Sequence, residues 1–342
     1  MPSARDFGLA LGLLPQGPLN AITDVRGVTV GHHTLDGQRT GVTAVLPHQG
    51  DLFRQKVRAG VEVINGFGKS VGLMQVAELG TVETPMLLTN TFSVAACAET
   101  LIRRAIAANP KIGRKTSTVN PLVFECNDGA INDIQAMAVT ATDAEAALAN
   151  AGGGEVPQGA VGAGTGMTAF GFKAGIGSAS RLMRIEKHDY ALGALVLANF
   201  GRAGDLMLPD GRRPSPPDAA KAEKGSVIVI LATDLPLGDR QLRRVARRAG
   251  AGLARLGAFW GNGSGDIALC FTTADPVPHE PGNAFQPVRQ LAEDRIDLPF
   301  RAAAEATHEA VLNALCAAPA MTGCMGRTFP ALSDWLRENP LP

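Results

Sequence analysis

Lys224-Gly225-Ser226-Val227-Ile228-Val229-Ile230-Leu231-Ala232 is the stretch where the chain changes character most abruptly. Residues 201–225 carry Arg202, Asp205, Asp210, Arg212, Arg213 and several prolines with almost no periodic apolar pattern, which predicts an exposed, mobile loop. From Ser226 a β-branched run begins, and its continuity predicts a buried strand. A serine at such a junction has its own chemistry. Its hydroxyl can attack the preceding carbonyl, shift the acyl group from nitrogen to oxygen, and so let the chain be cut. Gly225 suits that step because glycine tolerates strained torsions and does not crowd its carbonyl. The cut would leave Ser226 with a free α-amine, whose ordinary pKa of ~7.7–8.0 makes it a usable base beside its own hydroxyl. A plain loop ending before a strand fits the same three residues.

Working outward, Val28–Gly31, Gly41–Leu46, Val61–Ile64, Leu192–Asn199 and Ile267–Thr272 read as further strands, bounded by Gly, Pro and Asn signals. Ser93–Ala108, with Ser93 or Thr91 as cap and Pro110 beyond the end, predicts a helix. Thr142 and Glu145 form a capping-box pattern before a helix over 146–151 that Gly152 stops. Asp239–Leu256 and Pro299–Ala317 predict two more helices. With no repeat of fixed period, the mixed order predicts an α/β or α+β sandwich of sheets covered by helices.

Composition agrees with layers in close contact. Of 342 residues 40 are Gly and only 5% are aromatic, so the core is built from small and aliphatic side chains. Lys plus Arg and Asp plus Glu are 32 each. That balance argues against a nucleic-acid partner held by bulk charge. No run reaches the ~18 apolar residues of a membrane span. Five scattered cysteines without a CxxC, and an N-terminus unlike a signal peptide, predict free thiols and a cytoplasmic location.

Several motifs fall short of the chemistry they suggest. Gly66-Phe-Gly-Lys-Ser70 lacks the first glycine of a phosphate loop, because position 63 is Val. Gly162-x-Gly164-x-Gly166 departs from a dinucleotide fingerprint and reads as close backbone packing, of a kind that also suits the surroundings of an active site. The six histidines show no metal spacing. The arginines of 240–255 read as a solvated face or a subunit contact. No GxSxG elbow is present.

Several ordered pieces are similar to the family of L-aminopeptidase D-Ala-esterase/amidases and β-peptidyl aminopeptidases, whose members mature by self-cleavage. They are Asn20–His32, Thr40–Pro47, Glu83–Thr91, Glu125-Cys-Asn-Asp-Gly129 with Asn132-Asp-Ile134, Val161–Met167, Gly175–Arg181, Gly225-Ser226-Val-Ile-Val and Asn262-Gly-Ser-Gly-Asp-Ile267. The resemblance implies an αββα four-layer sandwich like that of N-terminal nucleophile hydrolases, with its own connectivity. It implies one domain over 1–342, cut into a 1–225 α chain and a 226–342 β chain. Ser226 would be the nucleophile, assisted by Ser264 and Asp266, where many relatives carry Glu. Asn199 would supply the oxyanion hole, and Glu125 would hold the free amine of a small peptide, amide or ester substrate. Asn127 stands where some members have Tyr. The implied activity is release of small N-terminal residues through an acyl-enzyme, with no metal or organic cofactor and with homo-oligomers, tetramers by resemblance. An amidase for ω-amino acid oligomers or an ornithine-type acyltransferase of similar fold, and an uncleaved small-molecule binding protein, are the alternatives.

Overall fold

The computed structural model describes residues 1–9, 11–216 and 225–341. A hairpin of β1 (Thr29–Leu35) and β2 (Thr40–Leu46) opens the layered region and is followed by the long β3 (Gln55–Gly66). Helix α1 (Leu73–Leu79) leads into the short β4 (Thr81–Val82) and then β5 (Met86–Asn90). Next come α2 (Val94–Ala108), β6 (Leu122–Cys126) and α3 (Ala141–Ala149), then a small hairpin of β7 (Thr168–Ala169) and β8 (Phe172–Lys173). The centre of the fold is β9 (Ile176–Ile185), β10 (His188–Asn199) and β11 (Ser226–Thr233). Helices α4 (Asp239–Arg247) and α5 (Ala249–Ala254) precede β12 (Gly265–Pro278), and the long α6 (Asp297–Ala317) follows.

Two sheets result. One has the order β1-β2-β5-β6, and the other β4-β3-β12-β11-β10-β9. Side-chain alternation along β11 explains why they stack. Val227, Val229 and Leu231 pack toward α4, α5 and α6, whereas Ile228, Ile230 and Ala232 pack toward the first sheet. The first sheet is also two-faced. Met86, Leu88 and Phe124 meet the inter-sheet core, while Leu87 and Val123 meet α2 and α3 through Val94, Leu101, Ala144 and Leu148. Three apolar layers between four structural layers make the αββα sandwich expected above. β11 lies inside, so all eight of its residues are buried.

The glycine content works where layers touch. A Cβ on Gly177 of β9 would lie 1.9 Å from the Ala310 carbonyl of α6, and one on Gly60 of β3 would lie 2.2 Å from the Arg243 nitrogen of α4. No larger residue permits those approaches.

Four expectations need correction in whole or in part. The box at the start of α3 is Thr140 with Asp143, not Thr142 with Glu145: the Thr140 N–H and hydroxyl donate to the Asp143 carboxylate at 2.7 and 2.6 Å, so the helix starts at Ala141. Ser93 stands at the cap position of α2 as expected, but its side chain makes no capping bond; the Phe92 and Ser93 N–H groups of the preceding turn go to Asn90 Oδ1 at 3.1 Å. The single helix expected over 239–256 breaks at Arg248, where Gly250 and Gly252 weaken it and Gly252 packs against the Ala304 carbonyl of α6. Finally, 201–216 is a loop as expected but not a wholly exposed one. Leu206 and Leu208 are buried in the helix-side core, and the Met207 N–H bonds the Leu256 carbonyl at 3.1 Å. Pro217 to Lys224 lie outside the described residues.

Burial also sorts the thiols. Cys97, Cys126, Cys270 and Cys316 are buried and Cys324 is exposed. Burial pushes Cys97 and Cys316 up to about 12. Titration of native protein with an aromatic disulfide reagent is expected to modify one thiol rapidly and all five only after denaturation; fast modification of three or more would contradict the core described here.

Candidate active site

Strand register gathers the candidate residues at one end of the second sheet. Ser226 opens β11. It pairs with Asn199, the last residue of β10, on one side and with Gly265, the first residue of β12, on the other. Asp266 pairs in turn with Asn65 near the end of β3. The first sheet reaches the same place, because the Cys126 thiol at the end of β6 donates to the Ser226 carbonyl at 3.4 Å. Burial, reinforced by the nearby Glu125 and Asp266 carboxylates, holds the Cys126 thiol well above its ordinary pKa. It therefore acts here as a neutral donor, not as a thiolate nucleophile.

The Ser226 hydroxyl donates to the Gly225 carbonyl oxygen at 2.8 Å. The Gly265 N–H points at the same two groups, 3.3 Å from the Gly225 carbonyl oxygen and 3.2 Å from Ser226 Oγ. The carbonyl preceding Ser226 thus has a hydroxyl and a backbone donor on its oxygen. Both glycines are sterically required. A Cβ on Gly225 would lie 2.3 Å from the Asn199 carbonyl oxygen, and one on Gly265 would lie 2.8 Å from the Phe67 carbonyl oxygen.

Ser264 and Asp266 flank Gly265. The Ser264 hydroxyl donates to Asp266 Oδ1 at 2.7 Å, and both residues are buried. The shorter aspartate therefore reaches its serine. Asn65 fixes the turn before them by donating to the Gly261 carbonyl at 3.0 Å and to the Ser264 carbonyl. Asn199 is held at both ends of its amide: Oδ1 accepts from the Thr168 N–H at 3.0 Å, and Nδ2 donates to the Asn127 carbonyl at 2.9 Å. Glu125 is buried at the end of β6, where Oε1 accepts from the Lys69 N–H at 2.7 Å and Oε2 from the Thr91 hydroxyl. Gly68 lies between this carboxylate and Gly265, since a Cβ on it would be 3.5 Å from Glu125 Oε1 and 3.8 Å from the Gly265 Cα. A cavity of about 210 Å³ opens beside the cluster, lined by Asn199, Gly225, Thr168, Phe200 and Arg327 among others.

Ser226, Ser264, Asp266, Asn199 and Glu125, with Gly225, are thus brought to one place. Sequence reasoning missed several contributors, among them the Thr168 N–H on Asn199. The Gly265 N–H has no side-chain signature at all. Thr91 lay within a recognised stretch but was read only as a cap. The 66–70 segment, which falls short of a phosphate loop, contributes instead the Lys69 N–H that binds Glu125. Among the described residues, no group of three or more His, Cys, Asp and Glu is arranged to hold a metal ion, and no helix is long and apolar enough to cross a membrane.

An αββα sandwich with a buried serine against the carbonyl of the residue before it defines a hydrolase of the N-terminal-nucleophile type of architecture. Similarity gives the more particular identity. The sequence profile described as Peptidase family S58 matches residues 20–329. The chain belongs to this family and is an aminopeptidase, a hydrolase acting on amide bonds. It is 38% identical over 361 aligned positions to the beta-peptidyl aminopeptidase BapA of Sphingosinicella microcystinivorans, covering 97% of this chain and 89% of that one. Among solved structures it is similar to the PH0078 protein from Pyrococcus horikoshii OT3, with 44% identity, TM-score 0.91 and 98% of each chain covered. A Burkholderia sp. beta-aminopeptidase gives 38% identity and TM-score 0.90 over 100% of both chains. The L-aminopeptidase D-Ala-esterase/amidase of Ochrobactrum anthropi, described as a prototype for the serine aminopeptidases and a variant among the Ntn hydrolase fold, gives 37% and 0.89 over 99% of both.

Because Gly225 touches the β10 backbone, Gly225→Ala is expected to lower stability by about 1–3 kcal/mol through overpacking, read as a fall in the denaturation midpoint. An unchanged midpoint would show that the strand ends part freely.

Proposed function

We propose that this chain is a self-processing serine aminopeptidase that cuts itself between Gly225 and Ser226 and then removes small N-terminal residues, as α- or β-amino acids, from short peptides, amides or esters. The observation that carries the reading is the pair of contacts at the scissile carbonyl: the Ser226 hydroxyl at 2.8 Å and the Gly265 N–H at 3.3 Å from the Gly225 oxygen. In the first step Ser226 Oγ bonds to the Gly225 carbonyl carbon, the C–N bond to Ser226 breaks, and the proton leaves Oγ for that nitrogen. Water then hydrolyses the resulting ester. The products are a 1–225 chain ending in a carboxylate and a 226–342 chain beginning with a free amine and hydroxyl, which remain one domain.

The same groups serve the intermolecular reaction. Ser226 Oγ attacks the substrate carbonyl, its own amine takes the proton, and Ser264, oriented by Asp266, helps pass it to the leaving amine. The tetrahedral oxyanion lies between the Asn199 amide and the Gly265 N–H; loss of one such donor costs ~3–4 kcal/mol in a comparable hydrolase. Glu125, already gripped by Thr91 and Lys69, pairs with the substrate ammonium and so selects an unblocked N-terminus. Asn127 accepts from Asn199 through its backbone carbonyl and from the Gly129 N–H through its side chain, so the phenol contact of some family members has no counterpart here. The beta-peptidyl aminopeptidase and beta-aminopeptidase names of relatives at 37–38% identity support β-amino acid substrates. A serine rather than a threonine at 226 disfavours the ω-amidase and acyltransferase readings. We also propose a cytoplasmic location, which the free thiols support, and, by family resemblance alone, assembly as a homo-oligomer of cut units.

Ser226→Ala is expected to remain a single band on denaturing electrophoresis and to lose about 10,000-fold or more in kcat on an aminoacyl-nitroanilide; a variant that still turns over this substrate would overturn the nucleophile assignment. Glu125→Gln is expected to lower kcat/KM for free-amine substrates by the equivalent of about 2–5 kcal/mol while self-cleavage proceeds at close to its normal rate. Equal loss of both would make Glu125 structural.

A further inference from the structure

Lys173 is fully buried on β8, where it pairs across the small hairpin with Thr168. Its ammonium donates to three backbone carbonyls: Ala174 at 2.5 Å, Met167 at 2.8 Å and Gly164 at 3.2 Å. Burying a charged amine this deeply is costly unless its hydrogens are all placed. A neutral amine carries two hydrogens and cannot satisfy three acceptors. Burial lowers its pKa to about 7 and the nearby Asp128 carboxylate opposes that fall; the three carbonyl dipoles favour the same charged form.

What Lys173 grips is the C-terminal half of the glycine-rich segment 162–167, whose beginning is held by the Thr34 and Thr43 hydroxyls at 2.8 and 3.1 Å. The next residue, Thr168, uses its N–H to hold Asn199 Oδ1. That contact is one of the two that decide which way the Asn199 amide faces. A backbone N–H can only donate and the Asn127 carbonyl can only accept, so the two partners fix Oδ1 toward Thr168 and Nδ2 toward Asn127. One hydrogen of Nδ2 serves Asn127, and the second remains for an oxyanion. If Thr168 drifts, the amide can turn over and present an oxygen to developing negative charge.

We propose that Lys173 is a positioning residue for the reaction, tethering the Gly164–Met167 carbonyls so that the Thr168 N–H keeps Asn199 in its donating orientation. This rests on the reading of Asn199 as an oxyanion donor. It assigns a role in turnover to a charge that touches no reacting atom.

A double-mutant cycle separates the two ideas. Wild type, Asn199→Ala, Lys173→Met and the double variant are compared on one aminoacyl-nitroanilide, with kcat and KM referred to the amount of processed enzyme. Asn199→Ala is expected to lower kcat about 100-fold or more, and Lys173→Met about tenfold or more with KM within about twofold. In the Asn199→Ala background Lys173→Met is expected to cost no more than about a further twofold. Lys173→Gln, which keeps two donors, is expected to recover part of the loss. If Asn199→Ala leaves kcat unchanged, the oxyanion reading fails. If Asn199→Ala is impaired but Lys173→Met leaves kcat intact, acts through KM alone, or multiplies fully with Asn199→Ala, the positioning role is overturned and the oxyanion reading stands. Failure of both Lys173 variants to fold would make the lysine a folding residue and would equally overturn the proposal.

Discussion

One backbone donor organises this active site: the N–H of Gly265, which lies against both the Ser226 hydroxyl and the Gly225 carbonyl. It can do so only because β11 and β12 run parallel with Ser226 opposite Gly265, and because Gly265 has no Cβ to strike the Phe67 backbone. A shift of one residue in that register would turn every side chain of β11 to the other face and remove the hydroxyl from the inter-sheet space. The apolar alternation of Ile228 and Ile230 against Val227 and Val229 is therefore more than core packing. It sets the register that puts the Ser226 hydroxyl, the Gly265 N–H and the Gly225 carbonyl within hydrogen-bonding distance.

The surroundings are arranged to keep those groups still. Asn199 is pinned at both ends of its amide, Glu125 at both oxygens, and Ser264 against Asp266. Four of the contacts to Asn199 and Glu125 involve two backbone N–H groups, one backbone carbonyl and one hydroxyl, drawn from segments far apart in the chain. Preorganised dipoles of this kind need little rearrangement as charge develops, which is where electrostatic catalysis gains most. The aspartate at 266, shorter than the glutamate of many relatives, still makes a 2.7 Å contact with Ser264, so the pair is preserved with one methylene fewer.

Legibility in the sequence followed the physics of each feature. The buried strand from Ser226 was readable because a β-branched run has few other stable homes, and the layers followed from apolar alternation. The segment 201–216 misled because its charges are conspicuous and its two anchors, Leu206 and Leu208, are not periodic. The start of α3 lies at Ala141 rather than 146 because Thr140, two residues before the equally good Thr142, is the residue that caps it. Ser226 carried a chemical signal of its own, whereas Ser264, Asp266, Asn199 and Glu125 were visible only through family resemblance. Gly265, Lys69 and Thr168 act through main-chain N–H groups, which every residue but proline carries, so no residue type betrays them.

The account depends on a single covalent event, and intact-mass measurement of purified, active protein tests it most directly. The expected result is two species whose masses correspond to residues 1–225 and 226–342, the smaller opening with Ser-Val-Ile-Val on terminal sequencing. Full enzymatic activity in material containing only the uncut 342-residue species would contradict it.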